Sequence, residues 1–408
     1  MTKDYKGPAA WTVTLVGLLA GIALANVLLK VPPVIPLMME TFNIGEGTAG
    51  WLSSIVSVAG IITALPASWL MRKFNAKTIG VVSLLCAAVG SLAGIFSDGN
   101  IAIMMVSRVI EGVGVGLIAV IVPSLITMWF PAEKRALPMG VWGTYQVVGQ
   151  SLMFIVASVL TVSFGWEGVW WFTTIFAVVA LIVYAWKVQE PPEGAPNYAE
   201  GEDDSIGLSS MVEGMKSGSL WIICLIGIMF TTCGTGIATF IAVYWGDAFF
   251  AGSFEDGNIY ASIMYALEIV MSIILGWVLG HVKEEKRKFM GTIGMIVYSV
   301  CIFFAYRLDS FGLIIPFMIV YTLAECATPT TLWTICANAV KKPEYGTVAI
   351  AVLNIGLNAG TLLGGPLVGM MIETTGSYAM ATIPSACLAL ISAVLFCFIK
   401  YYKHDVEI

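Results

Sequence analysis

The sequence predicts an all-α integral membrane protein whose twelve transmembrane helices form two six-helix bundles. Composition, the length of the apolar runs and the placement of basic residues support this fold class. Of the 408 residues, 58% are hydrophobic and only 11% are charged. Soluble domains carry about 25% charged residues, so the composition indicates a chain that crosses a membrane many times.

Twelve apolar runs are each long enough to cross a bilayer, which takes ~20 residues in a helix. Helices are required because backbone groups in lipid must form hydrogen bonds within their own segment. We number the runs spans 1 to 12. They are residues 11–38, 50–71, 78–97, 101–128, 138–163, 168–188, 219–246, 257–281, 289–308, 311–339, 345–372 and 379–400.

The basic residues predict the orientation of the chain. If the N-terminus lies inside, seventeen of the twenty Lys and Arg residues fall in inner segments and only Arg307 lies outside. This asymmetry is typical of cytoplasmic loops. Lys30 and Arg108 remain within spans. An even number of spans then places both termini in the cytoplasm, and we expect a multi-pass protein of a prokaryotic inner membrane.

A polar segment at 189–218 divides the spans six and six. It begins QEPPEGAPNYAEGEDD, and this mixture of proline, glycine and acid is typical of a solvated linker. The basic turn at 129–140 after span 4 has a counterpart at 340–349 after span 10. The sequence therefore predicts an N-terminal bundle (1–188), a cytoplasmic linker and a C-terminal bundle (219–408), related as parallel repeats.

Three segments resemble the major facilitator superfamily of secondary transporters. The loop SWLMRKFNAK (68–77) resembles the family's G-x-x-x-D-R-x-G-R-K loop. RVIEGVG (108–114) resembles its R-x-x-x-G-x-G motif in helix 4, and GTLLGGPLVG (360–369) resembles its glycine-proline pattern. The resemblance covers essentially the whole chain. It implies transport by alternating access, a cavity lined by spans 1, 4, 5, 7, 8, 10 and 11, and a role for Arg108 in conformational coupling.

The loop between spans 2 and 3 departs from the family pattern. Arg72 stands where the family has Asp, and Ser68 and Asn75 replace two of its glycines. Arg72 and Lys73 still mark the loop, but the acidic residue of the family pattern is missing from it. The nitrate carriers of the family are similar in using an arginine in helix 2 and another in helix 8. Span 2 has no arginine and span 8 carries Glu268 instead, so we exclude nitrate.

Five ionisable residues lie well inside the spans: Lys30, Arg108, Glu111, Glu268 and Glu325. Each is disfavoured in a membrane by roughly 2.5–3.5 kcal/mol. Three acids face two bases, so one carboxylate has no partner within the set. A carboxylate that is protonated part of the time is what proton coupling needs, and we expect Glu268 or Glu325 in that role. The alternative is a neutral glutamate that only packs.

The two bases have different predicted roles. Arg108 and Glu111 are one helical turn apart, so they can pair on one face of span 4. Such a pair could join span 4 to its neighbours and need not touch substrate. Lys30 lies in span 1 with Asn26 one turn before it, followed by Pro32 and its neighbours, which should bend the helix. It could extend to the outer headgroups, but we favour a cavity-facing contact with an anion.

Polar side chains recur along one face of several other spans, where they must face protein or water. Together with Lys30 and Asn26, the predicted substrate-binding residues are Gln146, Gln150, Tyr265, Tyr321, Asn354 and Asn358. Any single amide in such a set can instead join two helices through a hydrogen bond.

The leading functional hypothesis is a proton-coupled symporter of a small organic anion, such as a carboxylate, that acts as a monomer. The alternative is a carrier of an amphipathic cation or zwitterion, with Glu268 and Glu325 as counter-charges. A membrane-embedded enzyme is not expected, because the spans contain no H-E-x-x-H or Cys/His ligand pattern. We therefore expect no cofactor and no metal. The net charge of −6 comes largely from loops, so we expect no nucleic acid.

Overall fold

A computed structural model of the chain describes residues 8–130, 134, 136–189, 215–340, 346–400 and 402. Every regular element in these ranges is a helix. The all-α fold class predicted from the apolar runs is confirmed.

The first six predicted spans correspond to helices that are broken in several places. Span 1 is formed by Pro8–Leu29 and Ile35–Phe42, with a 3₁₀ turn at Pro32–Val34 between them, and span 2 by Glu46–Ser54 and Val56–Phe74. Spans 3 and 4 are the helices Ala76–Ile95 and Ile101–Trp129. Spans 5 and 6 are formed by Ala136–Gly143 and Tyr145–Lys187. The break in span 1 falls at its prolines, as the sequence predicts.

The last six predicted spans each correspond to one long helix. These helices are Gly218–Phe249, Phe254–His281, Arg287–Ala305, Ile314–Ile335, Gly346–Thr375 and Tyr378–Cys397. Span 11, the helix Gly346–Thr375, packs along span 7 through small residues. A Cβ atom added at Gly364 would lie 2.5 Å from the carbonyl oxygen of Thr232, so only glycine permits this approach of two helices in lipid.

Ten helices in the described ranges are long and apolar enough to cross a membrane. One of them, Leu137–Lys187, contains predicted spans 5 and 6 and bends at Gly165, whose φ of 61° and ψ of −161° are accessible only to glycine. Span 2 is not among the ten; it is divided at Ile55 into Glu46–Ser54 and Val56–Phe74. The twelve predicted spans are therefore compatible with these ten helices.

The chain divides into two compact units. Unit 1 comprises Met1–Leu37 and Ile55–Ser205, and unit 2 comprises Met38–Ser54 and Ile206–Ile408. The first half of span 2 thus belongs with unit 2. Most of the predicted linker, residues 190–214, lies outside the described part of the chain.

The core of unit 1 is an apolar cluster contributed by spans 1, 3, 4, 5 and 6, with Leu24, Leu84, Ile121 and Tyr184 among its fully buried members. Large apolar side chains such as Trp186 remain exposed on the helices. An exposed apolar surface of this kind suits a helix that lies against lipid.

Candidate functional site

Unit 1 contains a cluster of three charged side chains that are all 0% exposed. Lys30 Nζ donates to Glu111 Oε1 at 2.5 Å, and Arg108 Nη1 donates to Glu111 Oε2 at 2.5 Å. We call Lys30, Glu111 and Arg108 the ion cluster. Pairing of Arg108 with Glu111 is confirmed, whereas the addition of Lys30 was not predicted. With all three groups ionised, the ion cluster carries one net positive charge.

The break in span 1 explains how Arg108 is held. The carbonyl oxygen of Leu28 would normally accept a hydrogen bond from the residue four positions later, but Pro32 has no N–H to donate. Arg108 supplies this missing donor, since Nη2 donates to the carbonyl oxygen of Leu28 at 3.0 Å, and Nη1 donates to that of Val27 at 2.7 Å. Arg108 therefore stabilises the broken end of span 1 and fixes it against span 4.

Lys30 is enclosed on every side that the structure describes. Its ammonium donates to Ser91 Oγ at 3.0 Å and lies 4.2 Å from the centre of the Trp170 ring. Ser91 in turn donates to Glu111 at 2.7 Å. In this conformation the anionic partner of Lys30 is Glu111 and its side chain is fully buried. The predicted contact of Lys30 with an anion in a cavity, and its alternative at the outer headgroups, both stay predictions.

The other predicted binding residues of unit 1 differ in how far their side chains are exposed. Asn26 is fully buried, and neither atom of its amide has a hydrogen-bond partner among the described residues. Gln146 is exposed and Gln150 half-buried. The side chains of Arg72 and Lys73 lie outside the described part of the structure.

Unit 2 contains a second polar cluster, built around Glu325 in span 10. The hydroxyl of Tyr298 donates to Glu325 Oε1 at 3.3 Å and lies 3.2 Å from the hydroxyl of Tyr321. Glu325 Oε2 is buried and has no hydrogen-bond partner in the described ranges. We call Glu325, Tyr298 and Tyr321 the tyrosine–carboxylate chain.

Glu268 lies beside this chain, on span 8. Its backbone carbonyl accepts a hydrogen bond from Cys326 Sγ at 3.5 Å, so spans 8 and 10 are in contact here. Glu268 and Glu325 are near enough for their charges to repel. All ion pairs found within the described residues belong to the ion cluster of unit 1, so neither of these carboxylates has a cationic partner in that part of the chain.

The remaining predicted residues of unit 2 are placed on the expected spans. Tyr265 is 2% exposed and Tyr321 is 1% exposed. Asn354 and Asn358 are half-buried, and the Asn358 amide donates to the carbonyl oxygen of Asn354 at 2.9 Å. Asn358 thus uses part of its hydrogen-bonding capacity within its own helix.

Tyr298 was not predicted from the sequence as a site residue. It lies on span 9, which the family resemblance does not place on the cavity. The segment GMIVYSVC was nevertheless informative, since a tyrosine in the middle of an apolar helix needs a partner for its hydroxyl. Among the described residues, no group of three or more His, Cys, Asp and Glu side chains could hold a metal ion.

Comparison with known proteins gives a family match over most of the chain. Residues 13–351 match the sequence model of the Major Facilitator Superfamily. The chain is 27% identical to the cyanate transport protein CynX of Escherichia coli over 288 residues, which are 68% of each chain. It is 20% identical to the "Probable sulfoacetate transporter SauU" of Cupriavidus necator, over 90% of this chain and 88% of that one.

Other curated relatives match over a smaller part. The chain spans about a third of the length of uncharacterized MFS-type transporters from Mycobacterium tuberculosis and Bacillus subtilis, at 36%, 35% and 29% of their lengths. Among solved structures, a bacterial homolog of the human lysosomal transporter Spinster, in an inward-facing and unoccupied conformation, superposes with a TM-score of 0.78. It is 15% identical, and the match covers 98% of both chains, so this likeness concerns the fold.

Proposed function

Because the chain belongs to the Major Facilitator Superfamily, we propose that it is a secondary transporter that moves a small organic anion in symport with protons. The observation that carries this proposal is the tyrosine–carboxylate chain of unit 2. Glu325 has a buried carboxylate oxygen with no partner in the described ranges. A buried charge is stable only when it is paired or hydrogen-bonded, so the glutamate is well placed to bind and release a proton.

Glu268 supports the same role for this region. Two carboxylates that repel each other at close range favour a state in which they share a proton. Glu268 is half-buried, and it is therefore the second candidate for the coupling group. The proton would reach Glu325 or Glu268 from one side of the membrane and leave to the other as the transporter changes conformation.

The positive charge of the ion cluster supports an anionic substrate. Lys30 would exchange Glu111 for the substrate carboxylate, while Asn26, Gln146, Gln150, Asn354 and Asn358 would donate hydrogen bonds and Tyr265 and Tyr321 would close the site. Two relatives are named as transporters of anions, namely cyanate and sulfoacetate. Sulfoacetate is the more useful probe, because it carries a carboxylate.

A second candidate is transport of an amphipathic cation or zwitterion. The observation that favours it is the absence of an ion pair on Glu268 or Glu325 within the described residues. A substrate cation could provide the missing counter-charge. The two candidates predict that different substitutions abolish substrate binding: Lys30→Met in unit 1 for the anion carrier, and Glu325→Gln in unit 2 for the cation carrier.

Thermal-shift measurements on the purified protein separate the two candidates. The probes are sulfoacetate, cyanate and tetraethylammonium, and the variants are Lys30→Met, Glu325→Gln and the control Lys187→Met, an exposed lysine. We expect sulfoacetate to stabilise the wild type and the control but not Lys30→Met. If sulfoacetate stabilises Lys30→Met as much as the wild type, Lys30 is not the anion contact. Stabilisation by tetraethylammonium that disappears in Glu325→Gln favours the cation carrier.

Proton coupling is tested in proteoliposomes that contain a pH-sensitive dye. A sulfoacetate gradient should drive proton movement in the wild type. We expect this movement to vanish in Glu325→Gln or in Glu268→Gln, and to persist in Glu255→Gln, a control at the start of the helix Phe254–His281. Proton movement that survives in both test variants would contradict the carboxylate mechanism.

We further propose that the chain is a monomer of the inner membrane with both termini in the cytoplasm. The distribution of Lys and Arg supports this orientation. Alkaline phosphatase, which is active only outside the cytoplasm, provides the test when fused to either end of the chain. Enzymatic activity of either fusion would reverse the assignment of that terminus.

A further inference from the structure

We propose that Tyr298 is a positioning residue that relays the protonation state of Glu325 to the hydroxyl of Tyr321. When Glu325 is ionised, Tyr321 presents only lone pairs to its surroundings. When Glu325 carries a proton, Tyr321 presents an O–H donor, which favours a neighbouring anion. The inference rests on the proposed proton–anion symport and adds a physical link between the two ligands.

The direction of the hydrogen bonds is fixed while Glu325 is ionised. A carboxylate only accepts, so the 3.3 Å contact requires Tyr298 to donate its proton to Glu325 Oε1. A phenol has a single proton, so Tyr298 has none left for the 3.2 Å contact with Tyr321. Tyr321 must therefore donate within the chain, either to Tyr298 or directly to Glu325, with which it also interacts. Its own proton is then used, and an anion beside Tyr321 would meet only oxygen lone pairs.

Protonation of Glu325 makes a second arrangement available. If the proton binds Oε1, Glu325 donates to Tyr298, Tyr298 donates to Tyr321, and the proton of Tyr321 is free for another acceptor. The tyrosine protons only reorient, and no O–H bond of either tyrosine breaks.

Binding of the proton at Oε2 would preserve the first arrangement, but it would leave a buried O–H donor on an oxygen that has no partner in the described part of the chain. Both protonated arrangements contain two hydrogen bonds and one unused donor. An anion that accepts from Tyr321 adds a third bond to the reversed arrangement alone. Anion binding therefore favours the proton on Oε1, and the proton favours the anion by the same free energy.

The surroundings of the chain make such a reversal effective. Tyr298 and Tyr321 are 0% and 1% exposed, so water does not provide alternative donors and acceptors. The ring centre of Tyr298 lies 5.7 Å from that of Phe230, and the ring centre of Tyr321 lies 5.5 Å from that of Phe317. These contacts hold the two rings in place while leaving each O–H free to rotate.

Other titratable groups from spans 7 to 10 lie near enough to interact electrostatically with this chain. They are Cys233 from span 7, Tyr265 and Glu268 from span 8, Cys301 from span 9, and Cys326 from span 10. Thiols and phenols are normally neutral at pH 7, whereas carboxylates are not. Glu268 is therefore the group whose titration must be separated from that of Glu325, and its glutamine variant is part of the test.

Infrared difference spectra recorded between low and high pH test the relay without any ligand. In protein with isotope-labelled tyrosine, we expect a protonated-carboxyl band together with shifted tyrosine bands. Both should vanish in Glu325→Gln and remain in Glu268→Gln. Tyr298→Phe should keep the carboxyl band and lose the shift of the tyrosine bands. Tyrosine bands that still shift in Tyr298→Phe, or a wild-type carboxyl band with no tyrosine shift, would overturn the relay.

The affinity for sulfoacetate as a function of pH tests the coupling. We expect wild-type affinity to rise as the pH falls, within the roughly 5–150-fold range typical of coupled sites. The rise should be less than about twofold in Tyr298→Phe, because the coupling between the sites is removed. The control is Tyr306→Phe, one residue beyond the end of the same helix. Tyr306 is buried, its hydroxyl donates to the carbonyl oxygen of Ile237 at 3.1 Å, and the variant should behave like the wild type.

The two proposals fail in different ways. If sulfoacetate does not bind the wild type, anion transport is contradicted, while the infrared spectra still decide whether the relay exists. If the wild type binds sulfoacetate with proton uptake and Tyr298→Phe keeps the full pH dependence, the relay is wrong and the transport proposal stands.

Discussion

In unit 1, Glu111 lies between Lys30 and Arg108 and each of its oxygens pairs with a cation at 2.5 Å. In unit 2, Glu325 accepts one hydrogen bond from Tyr298, and its second oxygen has no partner in the described ranges. Both glutamates lie within predicted spans. The first is held between two cationic side chains, whereas the second has no cationic partner in the described part of the chain. Two glutamates that look alike in an apolar span can therefore differ completely in what surrounds them.

The largest effect should come from removing the bridging carboxylate. In Glu111→Gln, Lys30 and Arg108 remain buried without their counter-charge, and we expect the free energy of unfolding to fall by about 3–5 kcal/mol. Denaturant titration in mixed micelles provides the measurement. The double variant with Lys30→Met should recover part of the loss, because one unpaired cation is gone. A loss in Glu111→Gln that the double variant leaves unchanged would contradict the cluster.

Arg108→Lys should have the next largest effect. A lysine keeps the charge near Glu111 but cannot donate at once to the carbonyl oxygens of Val27 and Leu28, which Arg108 contacts at 2.7 and 3.0 Å. We expect a loss of about 1.5–3 kcal/mol in the free energy of unfolding, the range for hydrogen bonds to charged groups. The exposed Lys187 offers a control, since Lys187→Arg should change little. Equal stability of Arg108→Lys and the wild type would show that the carbonyl contacts are dispensable.

Gly90→Ala tests the packing that supports Glu111. An added Cβ atom would lie 2.6 Å from Glu111 Cγ and 2.9 Å from the backbone nitrogen of Glu111, so the two helices must move apart. Overpacking of this kind typically lowers the free energy of unfolding by about 1–3 kcal/mol. At Gly276 no atom lies within 4 Å of the added Cβ, and Gly276→Ala should cause no such loss. Similar losses in both variants would indicate a general effect of replacing helix glycines.

The smallest effect on stability is expected for Glu325→Gln. The substitution removes a carboxylate that pairs with no cation in the described residues and keeps an amide that can bond to Tyr298. We expect the free energy of unfolding to change by less than about 1 kcal/mol, because no buried cation loses its partner. The same denaturant titration measures it. A loss as large as that of Glu111→Gln would reveal a cationic partner and remove the contrast between the two units.

Features that depend on one helix could be predicted from the sequence. The length of the apolar runs predicts the spans, the missing N–H groups of Pro32 and Pro33 predict the break in span 1, and a spacing of three residues predicts the pairing of Arg108 with Glu111. Each of these inferences needs only the geometry of a single helix.

Contacts between helices could not be predicted in the same way. Lys30 and Glu111 are 81 positions apart in the chain, and Tyr298 and Glu325 are 27 apart. These pairs depend on how the helices rotate and pack, which the polar pattern of each helix leaves open. The pairing of Lys30 with Glu111 was therefore not predicted, and Tyr298 was not expected at the site. The sequence also did not predict the bend at Gly165, because a glycine inside an apolar run is compatible with a continuous helix.

The bend at Gly165 also affects how the protein is made. Since the helical chain runs through Gly165 from Tyr145 to Lys187, almost no polar segment has to be carried across the bilayer between spans 5 and 6. The two segments are therefore suited to leave the insertion machinery together as one helical hairpin. An epitope tag inserted at Gly165 would therefore interrupt this hairpin.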